Sequence, residues 1–156
     1  MKSILFVCLG NICRSPLADG IANKIARDHK LDLYIDSAGT SQWHIGEAPC
    51  QNSIKIAKQN GIDISGLKAR TLHRHDSQTF EYIVAMDKQN KKDLISLGYE
   101  NVYLIGEYGG FNGLDVPDPY FFPGFEGFEK VYKMLEVSIK DFLVKEKLWQ
   151  QKSYYY

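Results

Sequence analysis

No run of apolar residues in this 156-residue chain approaches the ~18 that a membrane span requires. Net charge is lacking as well. With 19 Lys+Arg against 19 Asp+Glu, bulk charge gives no pull towards nucleic acid or an anionic membrane, so any attraction for an anionic ligand must be local. Cysteine is scarce. Cys8, Cys13 and Cys50 match no usual zinc spacing, and an odd number without an export signal fits a reducing cytosol better than a disulfide scaffold. The apolar run at residues 4–9 is too short for a signal-peptide core and ends in polar Gly10-Asn11. A cytoplasmic protein is expected, leaderless secretion being the route that would leave no mark. No repeat, low-complexity tract or composition shift divides the chain, so a single domain over residues 1–156 is expected, with a frayed tail from about residue 148.

What is present is an ordinary globular balance, 44% hydrophobic and 24% charged, which excludes a largely disordered chain. Ile4-Leu5-Phe6-Val7 reads as a strand buried on both faces. After a polar turn, Ser15-Pro16 reads as N-cap and first helical position. Leu17, Ile21 and Ile25 then recur at helical spacing to about residue 29 or 30. Further strands are expected at 33–37, 82–86 and 102–105. Helices are expected at 52–60, ending at Gly61, and after Asp87 to near Gly98. A last helix carries Phe128, Val131, Tyr132, Leu135, Ile139, Phe142 and Leu143 on one stripe. Alternating strands and helices predict an α/β domain with a parallel sheet flanked by helices. Ligands bind beyond the carboxyl ends of such strands. The turn after the first strand lies there, as does the long loop at 106–125.

That first turn, Cys8-Leu9-Gly10-Asn11-Ile12-Cys13-Arg14-Ser15, places five residues between a cysteine and an arginine, between strand and helix. A loop wound around one point turns backbone N–H groups inward to make a nest for a tetrahedral anion. The following helix adds its positive end, and Arg14 offers a planar fork for two phosphate oxygens. Gly10 and Asn11 tolerate the backbone angles that such winding needs. The same field favours a thiolate, making Cys8 a candidate nucleophile, with the Ser15 hydroxyl placed to donate to its sulfur. A Cys-x5-Arg string alone is weak; the strand before it and the Ser-Pro helix after it are what make it specific.

The segment 7–16 resembles the phosphate-binding loop of the low-molecular-weight protein tyrosine phosphatases. The resemblance continues in Asp36-Ser37-Ala38-Gly39-Thr40-Ser41, Trp43, Gly61-Ile62, Ala69-Arg70, the Met86-Asp87 pair and Asp118-Pro119-Tyr120. It implies a three-layer fold on a four-stranded parallel sheet, no metal or cofactor, and hydrolysis of phosphotyrosine through a phosphocysteine. It assigns Cys8 as nucleophile, Arg14 as phosphate binder and Asp118 as general acid and then base. Leu9, Gly10, Asn11, Ile12, Cys13 and Ser15 would surround the phosphate, and Trp43 and Tyr120 would wall the aromatic ring. Ser37 would support Asn11. Asp-Pro alone is a common turn opener; the family match and the long loop promote Asp118 to an acid. An ordinary aspartic acid has a pKa of ~3.9, so a mildly acidic optimum is expected of it.

The resemblance has departures. Ala48-Pro49-Cys50-Gln51-Asn52 stands where an Asp-x-Arg pair is usual, and Phe121 replaces a second tyrosine. Implied partners are tyrosine-phosphorylated proteins, with no nucleic acid and no membrane, for a monomer or weak dimer. Three rivals remain. A thioredoxin-coupled arsenate reductase needs two late cysteines, and none follows Cys50. A protein arginine phosphatase typically has Thr in place of Ile12 and Phe in place of Tyr120. A silent phosphate-binding module would need neither a thiolate nor an acid. Cys13, close to Cys8 on the loop, is a redox candidate for a protective disulfide with it. Cys50 is read as inert, and His73 and His75 as a solvated loop rather than a metal pair.

Overall fold

A computed structural model describes residues 1–150. Four strands form one parallel sheet: β1 (Lys2–Cys8), β2 (Leu33–Gly39), β3 (Tyr82–Ala85) and β4 (Val102–Leu104), in the order β2-β1-β3-β4. Five helices accompany them: α1 (Arg14–Asp28), α2 (Gln51–Gln59), the single turn α3 (Asp76–Thr79), α4 (Lys88–Ser96) and α5 (Glu126–Lys145). Short 3-10 turns lie at Ile105–Glu107 and Pro119–Phe121. The expected α/β fold with a four-stranded parallel sheet is the one observed.

β1 shows why its sequence is apolar without alternation. It lies between β2 and β3, and successive side chains enter opposite layers. Ile4, Phe6 and Cys8 join the larger core under α1, α2 and α5, while Leu5 and Val7 join Ile83, Ala85, Leu94 and Tyr99 on the other face. The stripe expected on α5 is buried at every position named for it. Fully burying each such Leu, Ile or Phe contributes roughly 1.5–3 kcal/mol. Among the described residues, no helix is long and apolar enough to cross a membrane.

One local expectation needs correction. α1 begins at Arg14 with Cys13 as its N-cap and no side-chain cap, because the Ser15 hydroxyl is engaged with Cys8 and Asn11. Beyond α5, Trp149 is buried, its ring 4.6 Å from that of His29. Tyr154, Tyr155 and Tyr156 lie outside the described residues.

The loop between β4 and α5 is folded back on itself at Gly106. A Cβ built there would lie 1.7 Å from the Leu114 carbonyl oxygen, and the Gly106 carbonyl accepts from the Gly113 amide at 2.8 Å. Gly106→Ala must displace main chain rather than a side-chain tip. Thermal or urea unfolding is expected to show a loss of about 1–3 kcal/mol.

Candidate active site

Cys8 ends β1, and the chain then winds through Asn11, whose φ of 57° lies in the left-handed region. The loop is braced from outside by its carbonyls. That of Cys8 accepts from Thr40 N (3.0 Å), that of Leu9 from Ser41 N (2.9 Å) and that of Ile12 from Cys50 N (2.7 Å). The Ser53 hydroxyl donates to the Cys13 carbonyl at 3.1 Å. With the carbonyls turned outward, the amides of Leu9, Gly10, Ile12 and Cys13 donate to no group among the described residues. Such a set of unpaired amides at the start of a helix is an anion-binding nest.

Two hydrogen-bonding groups face the sulfur. The Asn11 amide donates to Cys8 Sγ at 3.2 Å. Ser15 Oγ lies 3.0 Å from the sulfur and itself accepts from Asn11 Nδ2 at 2.8 Å. Ser15 therefore keeps its own proton for a bond to Sγ, and with the Asn11 amide the sulfur has two potential donors within reach. Asn11 is in turn held by Ser37, whose Oγ accepts from Nδ2 at 2.9 Å, and by the Arg70 amide, which donates to Oδ1 at 2.9 Å.

Arg14 is buried. Nη1 donates to Asp87 Oδ2 at 2.8 Å and to the Val116 carbonyl at 2.9 Å. Nε and Nη2 have no partner among the described residues and keep three N–H donors. Asp87 serves twice, since its Oδ1 accepts from the Asn90 amide at 2.7 Å and caps α4.

A cavity of about 200 Å³ brings Cys8 and Arg14 together with Asp118, Trp43 and Tyr120. Leu9, Gly10, Ile12 and Cys13 line it too, whereas Asn11 and Ser15 stand behind it as braces. Trp43 and Tyr120 are 73% and 64% exposed, so they form a rim rather than core. Asp118 opens the 3-10 turn at Pro119–Phe121, its Oδ1 accepting from the Tyr120 amide at 3.0 Å.

The thiol pairing differs from expectation. Cys13 is disulfide-bonded to Cys50, their Cα atoms 5.3 Å apart, and Cys8 is free. Cys50, read from sequence as inert, is thus the partner of Cys13 in this structure, and the candidate Cys8–Cys13 link is not the one made here. The cause is local: the residues that precede α1 and α2 are stitched together by the Cys50–Ile12 and Ser53–Cys13 bonds, while the Cys8 sulfur is occupied by Asn11 and Ser15.

Sequence reasoning missed several supporting groups. His44 lines the cavity with its Nδ1 2.9 Å from Glu47; an imidazole beside Trp43 in a polar loop was the available signal. Behind the loop, Arg70 pairs with Asp36 at 3.1 Å and Asp76 at 3.0 Å. Burial works against the Arg70 charge, but Asp76 and Asp36 more than offset it and raise its pKa. Asp19, 4% exposed, accepts from Asn23 at 2.6 Å and faces Ser37 and Asp36. Burial first, and then the Asp36 charge, push its pKa up to about 7. His73 and His75 do approach Asp76, but both Asp76 oxygens are taken by Arg70 and the His73 amide.

Comparison with known proteins agrees with this geometry. The sequence profile of the low molecular weight phosphotyrosine protein phosphatases matches residues 3–153. The low molecular weight protein-tyrosine-phosphatase YfkJ of Bacillus subtilis is 42% identical over 133 residues, covering 81% of this chain and 85% of its own. A protein tyrosine phosphatase from Entamoeba histolytica, solved with Hepes in its active site, superposes with a TM-score of 0.87 at 32% identity, covering 94% of this chain and 97% of its own. A Drosophila arginine phosphatase does so with the same score at 33% identity, covering 94% and 98%. With the nest, the buried arginine and the profile all falling on the same residues, the chain belongs to the low molecular weight phosphotyrosine protein phosphatase family.

Proposed function

We propose that this phosphatase hydrolyses phosphotyrosine in proteins through a phosphocysteine formed on Cys8. The observation that carries the reading is the ring of unpaired loop amides and Arg14 donors around a sulfur that accepts from the Asn11 amide and lies 3.0 Å from the Ser15 hydroxyl. The Cys8 thiolate attacks phosphorus in line while the amides, Nε and Nη2 hold the equatorial oxygens. The phosphorus–oxygen bond breaks, and the departing phenolate takes the proton of Asp118. Water then attacks the phosphocysteine, gives its proton to Asp118, and the sulfur leaves as thiolate, eased by Ser15. The rim of Trp43 and Tyr120 receives the ring.

The similarity to an arginine phosphatase supports a second reading, phosphoarginine hydrolysis. Ile12 and Tyr120 favour phosphotyrosine, since they differ from the Thr and Phe typical of that activity. The test is turnover of an aryl phosphate and of phosphotyrosine and phosphoarginine peptides. Cys8→Ser is expected to abolish phosphotyrosine turnover, and Asp118→Asn to lower it by ~10²–10⁴. The wild-type rate is expected to decline between about pH 5 and 8, with the Asp118→Asn rate losing that slope. A flat wild-type profile would remove Asp118 from the acid role. Preference for phosphoarginine would establish the second reading.

A further inference from the structure

Three thiols meet at one loop, and only two can be joined at a time. Cys13 and Cys8 line the same cavity, whereas Cys50 lies behind it at 8% exposure. The segments carrying Cys13 and Cys50 are held together by the Ile12–Cys50 and Cys13–Ser53 hydrogen bonds as well as by the sulfurs. A Cα separation of 5.3 Å lies within the ~4.4–6.8 Å of ordinary disulfides. Closing and opening the bond therefore requires no movement of the fold, and the cavity gives a reductant a path to the Cys13 sulfur.

We propose that Cys13–Cys50 is a reversible redox pair whose state decides whether an oxidised Cys8 can be rescued. The proposal rests on reading Cys8 as the nucleophile. Closure removes two protons and two electrons from the thiols. A small-molecule disulfide accepts them by exchange, or hydrogen peroxide does so and becomes two waters. Opening is attack by a dithiol on the Cys13 sulfur, release of the Cys50 thiolate, and resolution of the mixed disulfide by the second thiol. Peroxide converts the Cys8 thiolate to a sulfenic acid. With the pair open, the Cys13 thiolate attacks that sulfur, expels the hydroxyl as water and forms a bond that thiols can reduce. With the pair closed, no second thiol lines the cavity, and another peroxide carries Cys8 to the irreversible sulfinic acid. The link thus withdraws the protecting thiol from the nucleophile.

The experiment has two independent readouts. Wild-type protein is equilibrated in glutathione buffers of graded ratio, alkylated, digested without reduction and mapped by mass spectrometry. A 13–50 linked peptide with Cys8 alkylated is expected on the oxidised side and three alkylated cysteines on the reduced side. A linked peptide absent at every ratio, or Cys8–Cys13 as the dominant link, overturns the pairing whatever the enzyme does. The second readout treats closed wild type, pre-reduced wild type and Cys50→Ser with peroxide and then with dithiothreitol. Recovered activity is expected to be several-fold greater in the last two, with sulfinic Cys8 concentrated in the first. Equal recovery and equal sulfinic acid in all three overturns the protective role. The pre-reduced arm keeps this decision available should Cys50→Ser fold poorly. Peroxide that leaves turnover intact while Cys8 is oxidised would instead overturn the nucleophile reading.

Discussion

Arg14→Lys is expected to lower kcat towards an aryl phosphate by roughly 10²–10³, with a much smaller change in phosphate-independent properties such as the unfolding midpoint. A lysine retains the charge but supplies a point ammonium on a flexible stem in place of a fork. In this protein the fork does two jobs at once. Nη1 is committed to Asp87 and the Val116 carbonyl, and only this anchoring leaves Nε and Nη2 fixed against the loop. A lysine that keeps the Asp87 contact has too few donors left to span two oxygens, and one that reaches the phosphate leaves Asp87 unpaired at a partly buried site. Asp87→Asn separates the two jobs. It leaves the guanidinium in place with a neutral anchor, so a smaller loss, about tenfold, is expected. Steady-state kinetics on both variants, with circular dichroism to verify the fold, measures the difference. A kcat for Arg14→Lys within a few-fold of wild type would show that charge alone suffices.

The second large effect concerns stability. Folded Asp19 holds its proton up to about pH 7, whereas its ordinary value is 3.8. Between those values the folded chain binds a proton that the unfolded chain has released, so the contribution of Asp19 to stability is full below pH 4, declines as pH rises towards 7, and then levels. The separation corresponds to a decline on the order of 4 kcal/mol. Asn is isosteric with the protonated carboxyl: its Oδ1 can still accept from Asn23, and it carries no charge to face Asp36. Asp19→Asn is expected to lose this slope and to exceed wild type in stability at pH 8. Urea unfolding at pH 5 and pH 8 tests it, and parallel pH dependence in the two proteins would assign the titration elsewhere.

These predictions fall on residues that a linear reading reaches to very different degrees. β1, α1 and the α5 stripe were legible because each is a local pattern enforced by burial, and the Cys8-to-Arg14 turn because its chemistry is contiguous. Asp87 and Asp19 were not, although both are plain in the chain. Their roles arise from what lies across the sheet edge: Asp87 follows β3, and only the β1–β3 pairing brings it to Arg14. Asp19 becomes unusual only when α1 presses it against Ser37 and Asp36 of β2. The Cys13–Cys50 bond was not legible either, because 37 residues separate the two and only the packing of α1 beside α2 brings them together. Ser15 was legible in part: its hydroxyl meets the Cys8 sulfur as read from the turn, and for that reason does not cap the helix.

The outward-facing carbonyls of the phosphate loop have a kinetic corollary. Their donors come from Thr40, Ser41, Cys50 and Ser53, and Asn11 is pinned by Arg70, so the nest is closed by contacts some 30 to 60 residues apart in sequence. Such distant closures carry loop entropy that is offset only when the sheet and α2 are already docked. The isolated β1–loop–α1 segment would have the motif without the concavity. Competence to hold an anion is thus a late property of the folding chain, gained after most of the core, and an oxyanion that binds only the finished nest stabilises the whole domain by mass action.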